Sequence, residues 1–468
     1  MFCKKKTIMD ILRVSVSNII KLLSGILVGF LLPRIIGVTD YGYYKTFTLY
    51  STYVGLFHLG ICDGIYLKYG GKNYEELDKK KFRKYSCFFV IVEGIIALII
   101  MICGAVFLAG EYRFIFICLS AYLFFTNITG YYQIISQITS RFRELSHRNV
   151  IQSLLMAVSV VGIWAINKYF EIKISYRIYT LIYIFITAVL AVWYMGTYRD
   201  ISFGNRDKTY KVSGDIYCFI RTGFPLTVAN LCSSLILTLD RQFVNVLFDT
   251  DTYAVYAFAY NMLSLVTTAI AAVSTVIYPE LKQKDEKKLF ELYPFLLMVV
   301  LCLVFACLTI YFPLCAFVEW FLPKYTGSIR IFRVIFPGLA ISSAVTIIIH
   351  NYYKAIGRSF SFFIKSIVVL ITSTIANAIA YVFWGTTISV SVASIICMIF
   401  WYLFTERLII REFKVLWKKN CLYLIVMIFA FYTVSLVNNY LLGCLLYIAF
   451  FGIITFGFYR RQIGNVRR

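Results

Sequence analysis

Arg13, Ser17, Lys21 and Ser24 follow one another at three- and four-residue spacing inside an apolar stretch, Asp10 to Tyr44, long enough to cross a bilayer. On a helix such steps keep the side chains within an arc of about 100°. Cations and hydroxyls arrayed this way break no bonds; they hold an anion where low dielectric strengthens the attraction. An ionised group deep in a spanning helix costs roughly 3 kcal/mol on insertion scales, so it persists where the helix borders water or a ligand. The alternative for Arg13 is snorkelling to the headgroups, which would leave Lys21 as the deep cation.

A second polar-spotted stretch begins near Arg221 and continues through Thr222, Thr227, Asn230, Ser233, Ser234 and Thr238. Pro225 beside Gly223 frees backbone carbonyls and lets the helix bend. The small polar residues serve equally as packing glue between helices. Lys365, in the eleventh apolar run, is a further cation that either reaches inward or snorkels. Arg13, Lys21, Arg221, Lys365, Asn230 and Ser234 form the expected binding set. Arg34, Lys45, Asp240 and Arg241 lie near the outer rim, where ion pairs and headgroup anchoring are cheap.

Carboxylates inside the spans are few. Asp63 ends the second helix and is expected to pair with Lys68, whereas Glu93 lies about two turns into the third with no obvious local partner. Glu93, then Asp63, are the candidates for coupling to H+ or Na+. His58 is the one histidine well inside a span, more simply read as a satisfied packing residue. No cluster of Asp, Glu or His offers a catalytic or metal site, so neither catalytic residues nor a bound cofactor is expected.

The elements that must position these residues are spanning helices. Of 468 residues, 60% are hydrophobic, more than a water-soluble fold can hide. Apolar runs centre on Leu23, Leu56, Ala97, Tyr122, Val158, Ile186, Ala229, Thr267, Val300, Ser342, Ile371, Ser394, Val426 and Ala449, which gives about fourteen helices. The 46 lysines and arginines against 23 acids would suit nucleic acid, but they concentrate in alternate connections. One set of loops holds roughly 31 and the opposite set about 7, which predicts both termini in the cytoplasm and excludes nucleic acid as the reason for the charge. The thirteen cysteines sit in apolar runs without a Cys-x-x-Cys pair, so they read as small hydrophobes. The first apolar run is too long for a signal-peptide core and is expected to stay as a spanning helix.

A repeat joins the halves. Tyr41 and Tyr44 after the first helix correspond to Tyr253 and Tyr256 after the seventh, and six spans fit between them. An even number returns the second copy to the same membrane face, so the halves are expected to relate by a pseudo-two-fold along the membrane normal. The expected fold is an all-α polytopic membrane protein: a six-helix bundle over 1–210, a second over 211–410, and two extra helices with a basic cytoplasmic tail over 411–468.

The Leu-Pro-Arg-x-x-Gly-x-x-x-Tyr-Gly turn within Gly25 to Gly42, the Gly60-x-x-x-Gly64 end of helix two, Asp240-Arg241 closing helix seven and Tyr278-Pro279-Glu280 closing helix eight carry a resemblance. The chain resembles the polysaccharide-export branch of the multidrug/oligosaccharidyl-lipid/polysaccharide exporter superfamily, the O-antigen and capsule repeat-unit flippases often called Wzx. That resemblance implies two bundles rocking around a cationic cavity in the bacterial cytoplasmic (inner) membrane. It implies as substrate a polyprenyl-diphosphate-linked oligosaccharide carried between leaflets for cell-envelope polysaccharide such as lipopolysaccharide. It also implies membrane lipids, a polysaccharide polymerase and a chain-length regulator as partners. The related lipid II flippases place arginines mid-way along the first helix, where this chain has only Lys21, a departure from a lipid II substrate. Two other readings remain: a cation-coupled multidrug or metabolite antiporter, expected to carry more acids in its spans, and a polymerase or ligase enzyme, expected to carry catalytic residues on sizeable outer loops.

Overall fold

The computed structural model describes residues 2–205, 212–282, 286–413 and 418–466, and among them every regular element is a helix. In the first half these are α1 (Phe2–Ile35), α2 (Val38–Ser51), α3 (Ile61–Tyr69), α4 (Lys79–Phe107), α5 (Gly110–Ile138), α6 (Phe142–Phe170), α7 (Tyr176–Thr197) and the single turn α8 (Arg199–Ser202). Then come α9 (Ser213–Ile236), α10 (Leu239–Leu247), α11 (Thr250–Lys282), α12 (Glu286–Cys307), α13 (Tyr311–Phe321) and α14 (Gly327–Ile335). The chain closes with α15 (Gly338–Ser343), α16 (His350–Ala355), α17 (Ser359–Trp384), α18 (Thr387–Phe413), α19 (Lys418–Val434) and α20 (Tyr440–Val466). Nine described helices are long and apolar enough to span a membrane, or eleven when two bent pairs count as one span each. This is a polytopic, all-α membrane protein.

Chain contacts divide it into two units, Met1–Ser234 and Leu235–Arg468. The division falls inside α9 because the first part of that helix is packed on α3 and α4: Phe219 is buried with Ile65 and Tyr85. The boundary expected at 210/211 lies outside the described residues.

Local sequence explains the ends. Asp78 caps α4, accepting hydrogen bonds from the Lys80 and Lys81 amides at 3.1 and 3.2 Å. Asp249 caps α11, accepting from the Thr252 amide and hydroxyl at 2.9 and 2.7 Å, and these bonds hold its carboxyl below the usual aspartate range. The second apolar run is not one helix. Between α2 and α3 the chain makes a 3-10 turn at Val54–His58, after which Leu59 and Gly60 are both left-handed, with φ of 53° and 80°. Gly60 suits that conformation; Leu59 pays for it, about 1–2 kcal/mol.

Within the first unit, aromatic rings and charges fasten the ends of the helices. Tyr132, Tyr194 and Tyr198 stack nearly parallel, and Arg141 lies 3.7 Å over the Tyr74 ring. The second unit docks its last two helices through polar bonds to an apolar core. Asn420 donates to the Pro294 carbonyl at 2.9 Å, Tyr459 donates to Asn420 at 2.8 Å and Tyr447 donates to the Phe305 carbonyl at 2.9 Å.

Candidate functional site

Along α1 the exposed apolar side chains Val16, Ile19, Leu23 and Leu27 occupy one face. Ser17 and Ser24 are buried, and Arg13 and Lys21 flank them, both exposed. At ~100° per residue Lys21 lies roughly 150° round the helix from the centre of the apolar face. A cation on that side, beside buried hydroxyls, is turned away from the surface suited to acyl chains.

The break between α2 and α3 is built against α9 by glycine. A Cβ on Gly60 would sit 2.6 Å from the Phe224 Cα, and one on Gly64 2.7 Å from the Phe219 carbonyl carbon. Gly223 answers from α9, where a Cβ would meet the Gly60 carbonyl carbon at 3.0 Å. Small residues four apart permit this backbone-to-backbone approach. The same contact brings Thr227 to Asp63, whose carboxylate accepts the threonine hydroxyl. Lys68, expected on Asp63, instead pairs with Asp215 at 2.9 Å, and Tyr85 donates to that same carboxylate.

The most buried acid of the unit among the described residues is linked to this break. Glu93 on α4 is fully buried, and its Oε2 accepts from Asn127 Nδ2 of α5 at 2.8 Å. The same Nδ2 donates to the Val54 carbonyl at 3.2 Å, at the start of the 3-10 turn. Glu93 Oε1 has no partner among the described residues. Asn127 therefore ties the acid to the discontinuous backbone. His58 accepts a hydrogen bond from the Gly60 amide at its Nδ1, 3.1 Å, which fixes it as a turn residue.

On α9, Phe219, Gly223 and Thr227 form the face buried against α3, and Asn230 and Ser234 continue that face where they become exposed. Arg221, also exposed, lies on the opposite side with Tyr217 and Phe224. The six residues of the expected binding set thus do not share one surface: α9 presents its cation and its small polar residues on different faces.

In the second unit Lys365 is half-buried, donating to the Tyr353 hydroxyl at 3.0 Å and to the Phe404 carbonyl at 2.9 Å. Asp240 is buried; it accepts from Tyr256 at 2.7 Å and from Tyr260, while its Oδ1 takes the Arg241 amide at 2.8 Å. Arg241 lies 4.6 Å over the Tyr260 ring. Arg34 stands exposed in the last turn of α1, and Lys45 lies 5.2 Å over Tyr41.

The sequence profile of the polysaccharide biosynthesis proteins matches residues 8–284, more than half of the chain. The chain belongs to that family. Its fold is similar to that of the lipid II flippase MurJ in an inward closed conformation, with a TM-score of 0.73 and 16% identity over 97% of this chain and 100% of that one. An inward-facing multidrug resistance MATE transporter of the MOP superfamily follows the same fold at a TM-score of 0.61 and 15% identity, covering 86% of this chain and 99% of that one. A MOP superfamily transporter from Pyrococcus furiosus, described by the reversed polarity of its binding pocket, gives 0.53 and 16% over 86% and 95%. No curated protein matches. These identities establish the fold: this member of the polysaccharide biosynthesis family has the architecture of MOP-superfamily flippases and transporters.

Three buried polar residues of this family member escaped the sequence reading. Asn127 sits in the apolar run Phe125-Thr-Asn-Ile-Thr, where a lone amide carries no spacing signal. Arg148 reads as a loop cation, yet is 2% exposed, donating to Thr197 at 2.5 Å and lying 3.3 Å from Glu144. Glu406 follows an apolar run into a basic stretch, but is fully buried and accepts from Tyr293 at 3.0 Å.

Proposed function

We propose that this protein is a flippase, not an enzyme, which moves a polyprenyl-diphosphate-linked oligosaccharide from the cytoplasmic to the outer leaflet for surface polysaccharide assembly. Membership of the polysaccharide biosynthesis family and a fold shared with a lipid II flippase support a lipid-linked saccharide as substrate. The observation that carries the reading is Lys21, exposed on the side of α1 away from its apolar face and next to Ser17 and Ser24. A diphosphate meeting such a cation in low dielectric gains strongly, while the polyprenyl chain stays in lipid. In this reading Arg13, Asn230 and Ser234 extend the path, and Arg221, on the other face of α9, is a separate cationic contact, with the basic loops and both termini on the cytoplasmic side of a bacterial inner membrane. Lys365, held by Tyr353 and Phe404, braces the second unit.

Coupling to H+ or Na+ is assigned here to Glu93, whose buried carboxyl keeps one oxygen without a partner among the described residues. The test is replacement of Lys21 or Arg221 by Ala in a strain whose surface polymer depends on this chain. At unchanged expression the polymer is lost; normal polymer from both variants removes them from the path.

A further inference from the structure

The first unit contains a recess of about 600 Å3 lined by Arg13 and Val16 of α1 and by Arg143, Glu144, Ser146, His147 and Val150 of α6. Its chemistry is that of an anion site. Two guanidiniums, Arg13 and Arg143, line it with a single carboxylate, Glu144, and that carboxylate is already paired with the buried Arg148 at 3.3 Å. The recess opens at the first two turns of α6, so the positive end of the helix dipole adds to the field. His147 lies against Trp193, with ring centroids 5.9 Å apart.

Two buried donors have no partner among the described residues. Ser146 is 6% exposed and lines the recess with its hydroxyl unsatisfied, and Arg148, two residues further along α6 and 2% exposed, leaves Nε unused. A buried donor without an acceptor is costly, and an anion in the recess supplies one.

The depth suits a lipid headgroup. The apolar span of α1 begins at Val16, three residues past Arg13, and α6 starts its own span at the recess. Below it the exposed side chains Ile19, Leu23, Leu154 and Val158 continue an apolar surface along both helices. A ligand bound here would be amphipathic: phosphate above, hydrocarbon below.

We infer that this recess binds the diphosphate of an isoprenyl-linked lipid at the membrane face; the identity of that lipid as waiting substrate rests on the function proposed above. The test uses full-length protein in phosphatidylcholine nanodiscs and a photoreactive farnesyl diphosphate analogue, with adducts mapped by peptide mass spectrometry. The expected adducts fall within residues 13–20 and 142–150. They are competed by inorganic pyrophosphate and not by phosphatidylglycerol in the disc, and they drop about tenfold in R13Q/R143Q. Thermal stability of each variant in the disc guards against misfolding, and H147Q, a milder change, is expected to reduce labelling less. Labelling undiminished in R13Q/R143Q overturns the site. Equal competition by phosphatidylglycerol makes it an ordinary phospholipid contact and overturns it as well. Adducts that persist in R13Q/R143Q but vanish in K21A/R221A overturn the recess and leave the flippase reading standing; no saturable labelling anywhere overturns both.

Discussion

Glu93 is held by a single side chain, Asn127, which also grips the carbonyl at the helix break. A buried carboxyl with one unsatisfied oxygen costs about 1–3 kcal/mol, and a packed membrane helix has easy substitutes for it. Through Asn127, a change in its charge state during the cycle would be felt at the Val54 carbonyl. Replacing Glu93 with Gln keeps the shape and removes the ionisable proton. The variant is expected to fold with stability within about 1 kcal/mol of the parent and to flip substrate at a rate that no longer responds to pH. An unchanged pH profile in reconstituted vesicles would detach Glu93 from coupling. At this scale the sequence was legible where a charge interrupted an apolar run, as with Lys21 and Glu93. It was silent where the partner was an ordinary amide, as with Asn127, or where a cation looked like a loop residue, as with Arg148. Spacing along one chain cannot report a bond between helices 34 residues apart.

The break between α2 and α3 is the element on which the first unit turns. Sequence places an apolar run there centred on Leu56, and the Gly60-x-x-x-Gly64 pattern hints at close packing. The left-handed pair Leu59–Gly60 and the approach of Phe224 follow from tertiary contact, which periodicity along one segment does not encode. Adding a methyl at Gly60 meets two penalties together, a positive φ and a backbone neighbour, each worth about 1–3 kcal/mol. Gly60→Ala and Gly223→Ala are therefore expected to lower the melting temperature in detergent, whereas Gly25→Ala, with open space around its Cβ, leaves it unchanged. Equal melting of all three would mean that the glycine contact is not what holds α9 to α3.

At the scale of the whole molecule, the two tyrosine pairs of the expected repeat fall one in each unit. Tyr44 in the first unit packs edge-on against Tyr179 of α7 at 5.1 Å, and Tyr256 in the second accepts from Ser391 of α18 at 3.2 Å. Both contacts join the second span of a unit to its sixth. Thirteen of the fourteen apolar centres read from the sequence fall within α-helices, as backbone in an apolar environment must bond within its own segment; the other, Leu56, falls in the 3-10 turn between α2 and α3. Exposed cations on α1 and on the part of α9 that belongs to the first unit, Lys21 and Arg221, in a member of the polysaccharide biosynthesis family make lipid-linked saccharide flipping the central claim. Its most direct test is reconstitution of the full chain with a fluorescent polyprenyl-diphosphate oligosaccharide, asking how fast the sugar becomes accessible to a glycosidase outside the vesicles. The account predicts acceleration well above empty vesicles, falling by roughly tenfold or more in K21A and R221A, a loss of at least ~1.4 kcal/mol. Accessibility no faster than in protein-free vesicles, or equally fast in both variants, would contradict it.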